Sequence, residues 1–298
     1  MSRMMLVVAG ICVVGMIAGC ATNEGSKPTT AKVKPAKTQP AAAAKVEPAA
    51  EPKPSVQYVD TPTGRYMVHD ENRPAPPIIT PGGRRSSPPS DATVLFDGTE
   101  ESLANWTDGK LTDGKLNPVK WRLVDGYMES IKGGGFAQTK AEFGSCQLHV
   151  EFATPENVQG AGQGRGNSGV FLQGQYEIQV LDSYENKTYP DGQCGALYGR
   201  TVPLVNTCRK PGEWQSYDII YHRPFFDRGG KVTRKATFTV FQNGVLIQDH
   251  VTLEGGTGWI NAHTITGYKA HGDKGPIQLQ DHGNPVRYRN IWIRELKD

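Results

Sequence analysis

From residue 91 onward, apolar and polar side chains alternate in short runs separated by glycine, proline and asparagine. QLHVEFA (147–153) sets Leu148, Val150 and Phe152 on one face and Gln147, His149 and Glu151 on the other, as a strand with one buried face requires. KATFTVFQ (235–242) repeats the pattern, followed by Asn243-Gly244 and VLIQDHVTL (245–253). Asn-Gly between two such runs predicts a hairpin, because both turn residues must adopt positive φ. The same reading predicts strands at 93–96, 120–124, 127–131, 168–173, 176–182, 214–222, 277–281 and 286–296, and no stretch carries a sustained helical period. Many short strands with Gly-rich turns predict an all-β sandwich or barrel. The roughly 208 residues from Asp91 to Asp298 suffice for one core. A jelly roll, whose curved sheet offers a groove, suits that size.

The first 90 residues read differently. Residues 1–19 hold one early cation, Arg3, an apolar run from Met4 to Ile17, and then Ala18-Gly19 before Cys20. The run is too short to span a membrane and ends in small residues, as a bacterial lipoprotein signal does. Cys20 is the expected lipid acceptor, which predicts a membrane-held protein of the bacterial cell envelope. Residues 20–90, rich in Ala, Pro and Lys, bury too little to offset ordering and are expected to form a tether, with 56–80 partly docked. The chain carries a net charge of +3, but 20–90 contributes +4 and 91–298 contributes −2. The domain therefore has no footprint for nucleic acid. Of five cysteines, Cys146 begins a strand and is expected as a buried thiol, while Cys194 and Cys208 lie in loop-like sequence and are candidates for a disulfide.

Two strands carry unusual polar faces. In YEIQVLD (176–182), Glu177 and Gln179 share a face; in GPIQLQDHG (275–283), Gln278, Gln280 and His282 do. The first face alone reads first as a solvated surface and only second as a groove. Amides and an imidazole without lysine favour hydroxyl recognition, since both donate and accept. GRGNSGVFLQG (164–174) adds Asn167 and Ser168 among glycines that admit a close ligand. Trp106, Trp121, Trp214 and Trp259 are candidate sugar platforms or core residues. Arg287 and Arg289 share a face of the last strand and read as edge-strand charges or a substrate clamp. His149 and His263 are expected to be structural.

LFDG (95–98) with Trp106, GNSGVFL (166–172), YEIQVLD, GALYG (195–199), PGEWQSYDI (211–219), Asn243-Gly244, GPIQLQDHG and VRYRNIWIREL (286–296) together resemble, in order, the 3-keto-disaccharide hydrolase domain family (DUF1080). The resemblance implies a concanavalin A-like jelly-roll β-sandwich that acts on glycosides oxidised at C3. It further implies an oligosaccharide or glycoside ligand, and a glycoside oxidoreductase as partner. Gln215 and Gln173 stand where the family commonly has Asn and Arg, and the latter change is expected to weaken a ligand contact.

Ordinary glycosidases need two carboxylates. Jelly-roll glycosidases often place acids at i, i+2 and i+5, offsets that here give Glu177, Gln179 and Asp182, with an amide in the middle. A 3-keto sugar needs less: one base for the acidified C2 proton, one group to stabilise the enolate, and an acid for the leaving group. Glu177 or His282 is the candidate base and the other its partner. Asn167, Gln179, Gln280, Asp182, Tyr198 and Arg289 are candidate substrate contacts. Asp281 and His282, with Glu177, are candidate ligands for a divalent cation. The alternative is a non-catalytic carbohydrate-binding module or lectin on the same fold.

Overall fold

The computed structural model describes residues 55–84, 86–258 and 267–298; residues 1–19, expected as a signal, Cys20, expected as the lipid acceptor, Trp259 and His263 lie outside the described residues. The chain divides into two compact units, Met1–Pro74 and Ala75–Asp298. In the first, β1 (Tyr58–Thr61) and β2 (Gly64–Met67) form a hairpin.

The second unit begins with β3 (Thr93–Phe96) and a one-turn helix α1 (Glu100–Leu103), capped by the Thr99 hydroxyl. Then come β4 (Trp106–Thr112), β5 (Lys115–Pro118), β6 (Arg122–Val124), β7 (Tyr127–Glu129), β8 (Ala137–Phe143) and β9 (Cys146–Ala153). The hairpin of β10 (Ser168–Leu172) and β11 (Tyr176–Val180) leads by a long connection to β12 (Gln215–His222). The chain closes with β13 (Phe225–Phe226), β14 (Val232–Arg234), β15 (Thr237–Gln242), β16 (Val245–Thr252), β17 (Gly275–Leu279) and β18 (Arg287–Glu295).

Two large antiparallel sheets result, with β13 and β14 forming a small pair of their own. One has six strands in the order β11-β10-β17-β8-β4-β5; the other has eight, in the order β16-β15-β12-β9-β18-β7-β6 with β3 also on β18. This is the all-β sandwich expected from the alternation. The predicted strands all form, several trimmed by one or two residues. β4, β5 and β8 carry no strong alternating signal, since their sequences (WTDGKLT, KLNP, AQTKAEF) hold Gly, Pro or small residues where apolar side chains would mark an inner face.

The inner faces interdigitate. Phe152 packs on Tyr217 with ring centroids 4.7 Å apart and on Tyr288 at 6.5 Å, and all three are fully buried. Burying such side chains stabilises by roughly 1.5–3 kcal/mol each. Their hydroxyls bridge the sheets: Tyr217 Oη donates to Gln179 O at 2.6 Å, and Tyr288 Oη meets Ser168 Oγ at 2.7 Å. Because Ser168 Oγ itself donates to Gln280 O at 2.5 Å, Tyr288 supplies the proton of the shared bond. Tyr288→Phe is expected to lower stability by about 1 kcal/mol, read as a lower urea midpoint at unchanged slope.

β18 corrects one expectation. It pairs β9 on one side and β7 and β3 on the other, so its arginines are not edge charges. Residues 75–90, assigned to the tether by composition, belong to the second unit: Ser86 O accepts from Asn290 Nδ2 (2.8 Å) and Trp292 Nε1 (2.9 Å). His149 is structural, stacked on Trp292 and bonded through Nδ1 to Asp218 at 2.7 Å.

Candidate functional site

The three-residue turn 173–175 sets the register of the β10–β11 hairpin, opposing Phe171 to Glu177 and Gly169 to Gln179. β17 continues the ladder, with Phe171 opposite Gln278, and β8 sets Gln138 opposite Gln278. Cross-strand partners share a face. The outer face of the six-stranded sheet therefore carries Glu177, Gln179, Phe171, Gln278 and Gln138, while Ile178, Val180, Val170 and Leu279 point into the core. Gln278 Nε2 donates to Gln138 Oε1 at 2.6 Å.

The free edge of β11 is covered by its own chain. Gly195 N donates to Gln179 O (2.9 Å), Gln179 N to Ala196 O (2.9 Å) and Tyr198 N to Glu177 O (3.2 Å). Leu197 bridges Ile178 on the inner side, so Tyr198 stands on the face of Glu177. Its hydroxyl bonds that of Tyr189 at 2.6 Å, and both phenols have raised pKa values, mainly from burial. The Glu177 charge adds to the rise in each.

Glu177 is only 5% exposed, and burial pushes its carboxyl up to about 8. The carboxyl lies over Gly169, where a Cβ would come within 2.5 Å of Glu177 Oε1. Glycine within a strand here marks a close approach by the neighbouring side chain. Gln179 lies between two sets of partners. In one orientation its amide nitrogen faces Gln163 Oε1 (3.1 Å) and Asn167 Oδ1 (3.3 Å); turned over, it donates to Glu177 Oε1 (3.0 Å) and Ser168 O (3.1 Å). The turned amide gives Glu177 a neutral hydrogen-bond partner and sets the Gln179 oxygen against Gln163 Oε1 at 3.1 Å. Beside them, Phe171 and the exposed Phe136 meet edge to face at 5.5 Å, an apolar platform at the rim of the polar patch.

The residues expected from sequence divide by position. Glu177, Gln179, Asn167 and Tyr198 come together, and Gln280 joins through Gln280 N donating to Gly169 O at 3.0 Å. His282 is exposed in the loop after β17, two strands across from Glu177 and four residues past the level of its ladder partner Gln278. The structure does not bring the two into contact. Asp182 lies beyond the end of β11, buried and paired with Arg165 Nε at 2.6 Å, in the wall of a separate cleft of about 330 Å³ with Glu156, Asn284 and Arg287. Arg289 stands on the other sheet, held by Glu151 at 2.7 Å and over the Trp214 ring at 4.0 Å. Trp106 and Trp121 are core residues.

Gln173 is no ligand contact either. It is buried, donating to Asp273 O (2.7 Å) and accepting from Tyr221 Oη (2.6 Å), so its departure from the family pattern is a matter of turn packing. Asp281 accepts Gly135 N (3.3 Å) and Gly283 N (2.8 Å). Among the described residues no three His, Cys, Asp or Glu side chains gather as a metal site would. Phe171, Phe136, Gly169, Gln138 and Tyr189 were not singled out from sequence. The hairpin register, legible from the turn length, is the signal that finds Phe171 and Gly169.

Comparison with known proteins follows this geometry. Residues 91–294 match the 3-keto-alpha-glucoside-1,2-lyase-like domain. A crystal structure from Parabacteroides distasonis ATCC 8503, described as a candidate glycosyl hydrolase, is 45% identical, with a TM-score of 0.71 over 77% of this chain and 95% of that one. A second candidate glycosyl hydrolase from that organism is 19% identical, with a TM-score of 0.49 over 70% of this chain and 94% of its own. No curated protein matches. By the extent of the domain match and by its 45% identity to a solved structure, the chain belongs to the 3-keto-alpha-glucoside-1,2-lyase-like domain family.

Proposed function

We propose that the outer face of the six-stranded sheet cleaves glycosides that carry a ketone at C3, by elimination across C1–C2 followed by hydration. The observation that carries this reading is Glu177: one buried carboxyl, pushed up to about 8 by desolvation and lying over Gly169, on a face otherwise furnished with amides, phenols and an aromatic platform. Asp182, the second acid of the segment 176–182, is engaged by Arg165. A two-carboxylate mechanism would place its acids roughly 5–9.5 Å apart across the scissile bond. Elimination asks for a single base with a pKa near the working pH.

Glu177, as carboxylate, takes the C2 proton made acidic by the C3 ketone. The C1–O bond then breaks, and the leaving oxygen takes a proton. Tyr198, with Tyr189 hydrogen-bonded behind it, supplies the hydroxyl donor beside the base in place of the remote His282. Gln179, Gln278 and Gln280 bond sugar hydroxyls, and Phe171 with Phe136 stacks on the ring. Water adding at C1 gives the free 3-keto sugar. Such a substrate implies a prior oxidation of the glycoside at C3 by another enzyme. A lipid on Cys20 would hold both reactions at a membrane of the cell envelope.

The test is release of the leaving sugar from a 3-keto-disaccharide in D₂O. Elimination and hydration deliver one deuterium to C2 of the product. Release without deuterium, or equal release from the unoxidised disaccharide, overturns the mechanism; binding without release favours a carbohydrate-binding module. Tyr198→Phe is expected to lower kcat about tenfold or more with little change in stability, and an unchanged kcat would remove it from the mechanism.

A further inference from the structure

The segment that bears Tyr198 begins and ends beside a pair of thiols. Cys194 is buried, Cys208 is partly exposed, and both are free thiols. Gln242 Nε2 reaches both sulfurs, at 3.6 Å from Cys194 Sγ and 3.4 Å from Cys208 Sγ, so the two thiols share one amide nitrogen. Tyr217 Oη lies 3.0 Å from Cys194 Sγ and donates to Gln179 O, tying the thiols to the site strand. On the other flank, Asn206 Oδ1 accepts Cys208 N (3.0 Å) and Asn206 Nδ2 donates to Ser183 O (2.9 Å). Ser183 Oγ in turn accepts Cys194 N at 3.0 Å. Two chain segments are thus already held with their sulfurs side by side. Between them, Val202, Leu204 and Val205 are exposed, so little packing of their own restrains that part of the loop.

We infer that Cys194 and Cys208 are a dithiol that closes to a disulfide, stapling the 194–208 loop and with it Tyr198 against the Glu177 strand. The effect on Tyr198 rests on the proposed function; the cross-link does not. Closure is thiol–disulfide exchange with a disulfide oxidant. Cys208, the accessible member, attacks one sulfur of the oxidant as thiolate and expels one thiolate. Cys194, having lost its proton, then attacks Cys208 Sγ and expels the second. Two protein thiols are oxidised, and one oxidant disulfide is reduced to two thiols. The order fits the surroundings: the neighbouring Cys194 thiol and the Gln242 amide lower the Cys208 pKa, while burial raises that of Cys194.

Trypsin makes the test direct, because Arg200 separates the two cysteines. The folded full chain is incubated with oxidised glutathione, alkylated in denaturant and digested without reduction. The expected product is peptide 188–200 joined to peptide 201–209, absent after dithiothreitol, with Cys146 still alkylated. The oxidised form should melt roughly 6–12 °C above the reduced one, as closing a loop of this length predicts. Separate alkylated peptides, glutathione left on Cys208, or a cross-link that leaves Tm unchanged would each overturn the inference. Cys208→Ser should lose the oxidant-dependent rise in Tm. Turnover by the oxidised and reduced forms then reads the effect on Tyr198 separately.

Discussion

Glu177→Gln is expected to lower turnover of a 3-keto-glycoside by about 10²–10⁴-fold, the usual contribution of a general base. The same substitution should make the folded protein more stable at alkaline pH. The two effects have one cause. Burial holds the Glu177 carboxyl at about 8, against 4.5 for the ordinary group. Below about pH 4.5 both folded and unfolded chains carry the proton, and the carboxyl makes no difference to stability. Between 4.5 and 8 the unfolded chain releases its proton while the folded chain retains it, so the wild type loses stability as pH rises. Above about 8 the loss levels off.

A shift of this size corresponds to roughly 5 kcal/mol at most. Urea midpoints of wild type and Glu177→Gln should therefore coincide near pH 4.5 and diverge in favour of the variant by pH 9. Wild-type kcat/KM should rise about tenfold per pH unit up to about 8 and then level, since the base acts as carboxylate. A rate that falls over this range would make Glu177 an acid. Midpoints that stay together would show that its carboxyl is not desolvated.

Gly169→Ala is expected to lower kcat/KM by about 10²-fold or more while changing stability little. Gly169 needs no unusual backbone angle, so alanine is allowed there in conformation. Its Cβ, however, would meet Glu177 Oε1 at 2.5 Å and Phe171 Cε2 at 2.9 Å. The atoms in the way are the ends of flexible side chains, so the strand survives and they turn aside. A carboxyl displaced by about an ångström no longer reaches the C2 proton in line, and misplacement on that scale forfeits about two orders of magnitude. Activity and urea midpoint measured on one preparation separate the outcomes. Full activity in the variant would mean that the position of the Glu177 carboxyl is immaterial, against its role as base.

The strands bearing Glu177 and Gln278 were legible because a period of two assigns every side chain to a face from local sequence alone. β8, with Ala137, Thr139 and exposed charges, was not, because its inner face is built from small residues that match no apolar pattern. His282 shows the limit of the alternation. The pattern continues through GPIQLQDHG, but β17 ends at Leu279, and Gly283 at φ 82° takes part in the turn that follows. Arg289 shows another limit: shared polarity does not say which sheet a strand joins.

By itself, the sequence determined an all-β domain from residue 91 onward, its Asn-Gly hairpin, and the pairing of Glu177 and Gln179 on one face. These follow from short-range sterics, strand alternation and composition, which act within a few residues. Only the tertiary structure decided that Gln280 lies beside Gly169, that Tyr198 covers the edge of β11, and that Asp182 belongs to Arg165. The raised pKa of Glu177 belongs to the same class. Desolvation depends on everything that encloses a group, and here that enclosure comes from segments far apart in the chain, whose meeting no local pattern records.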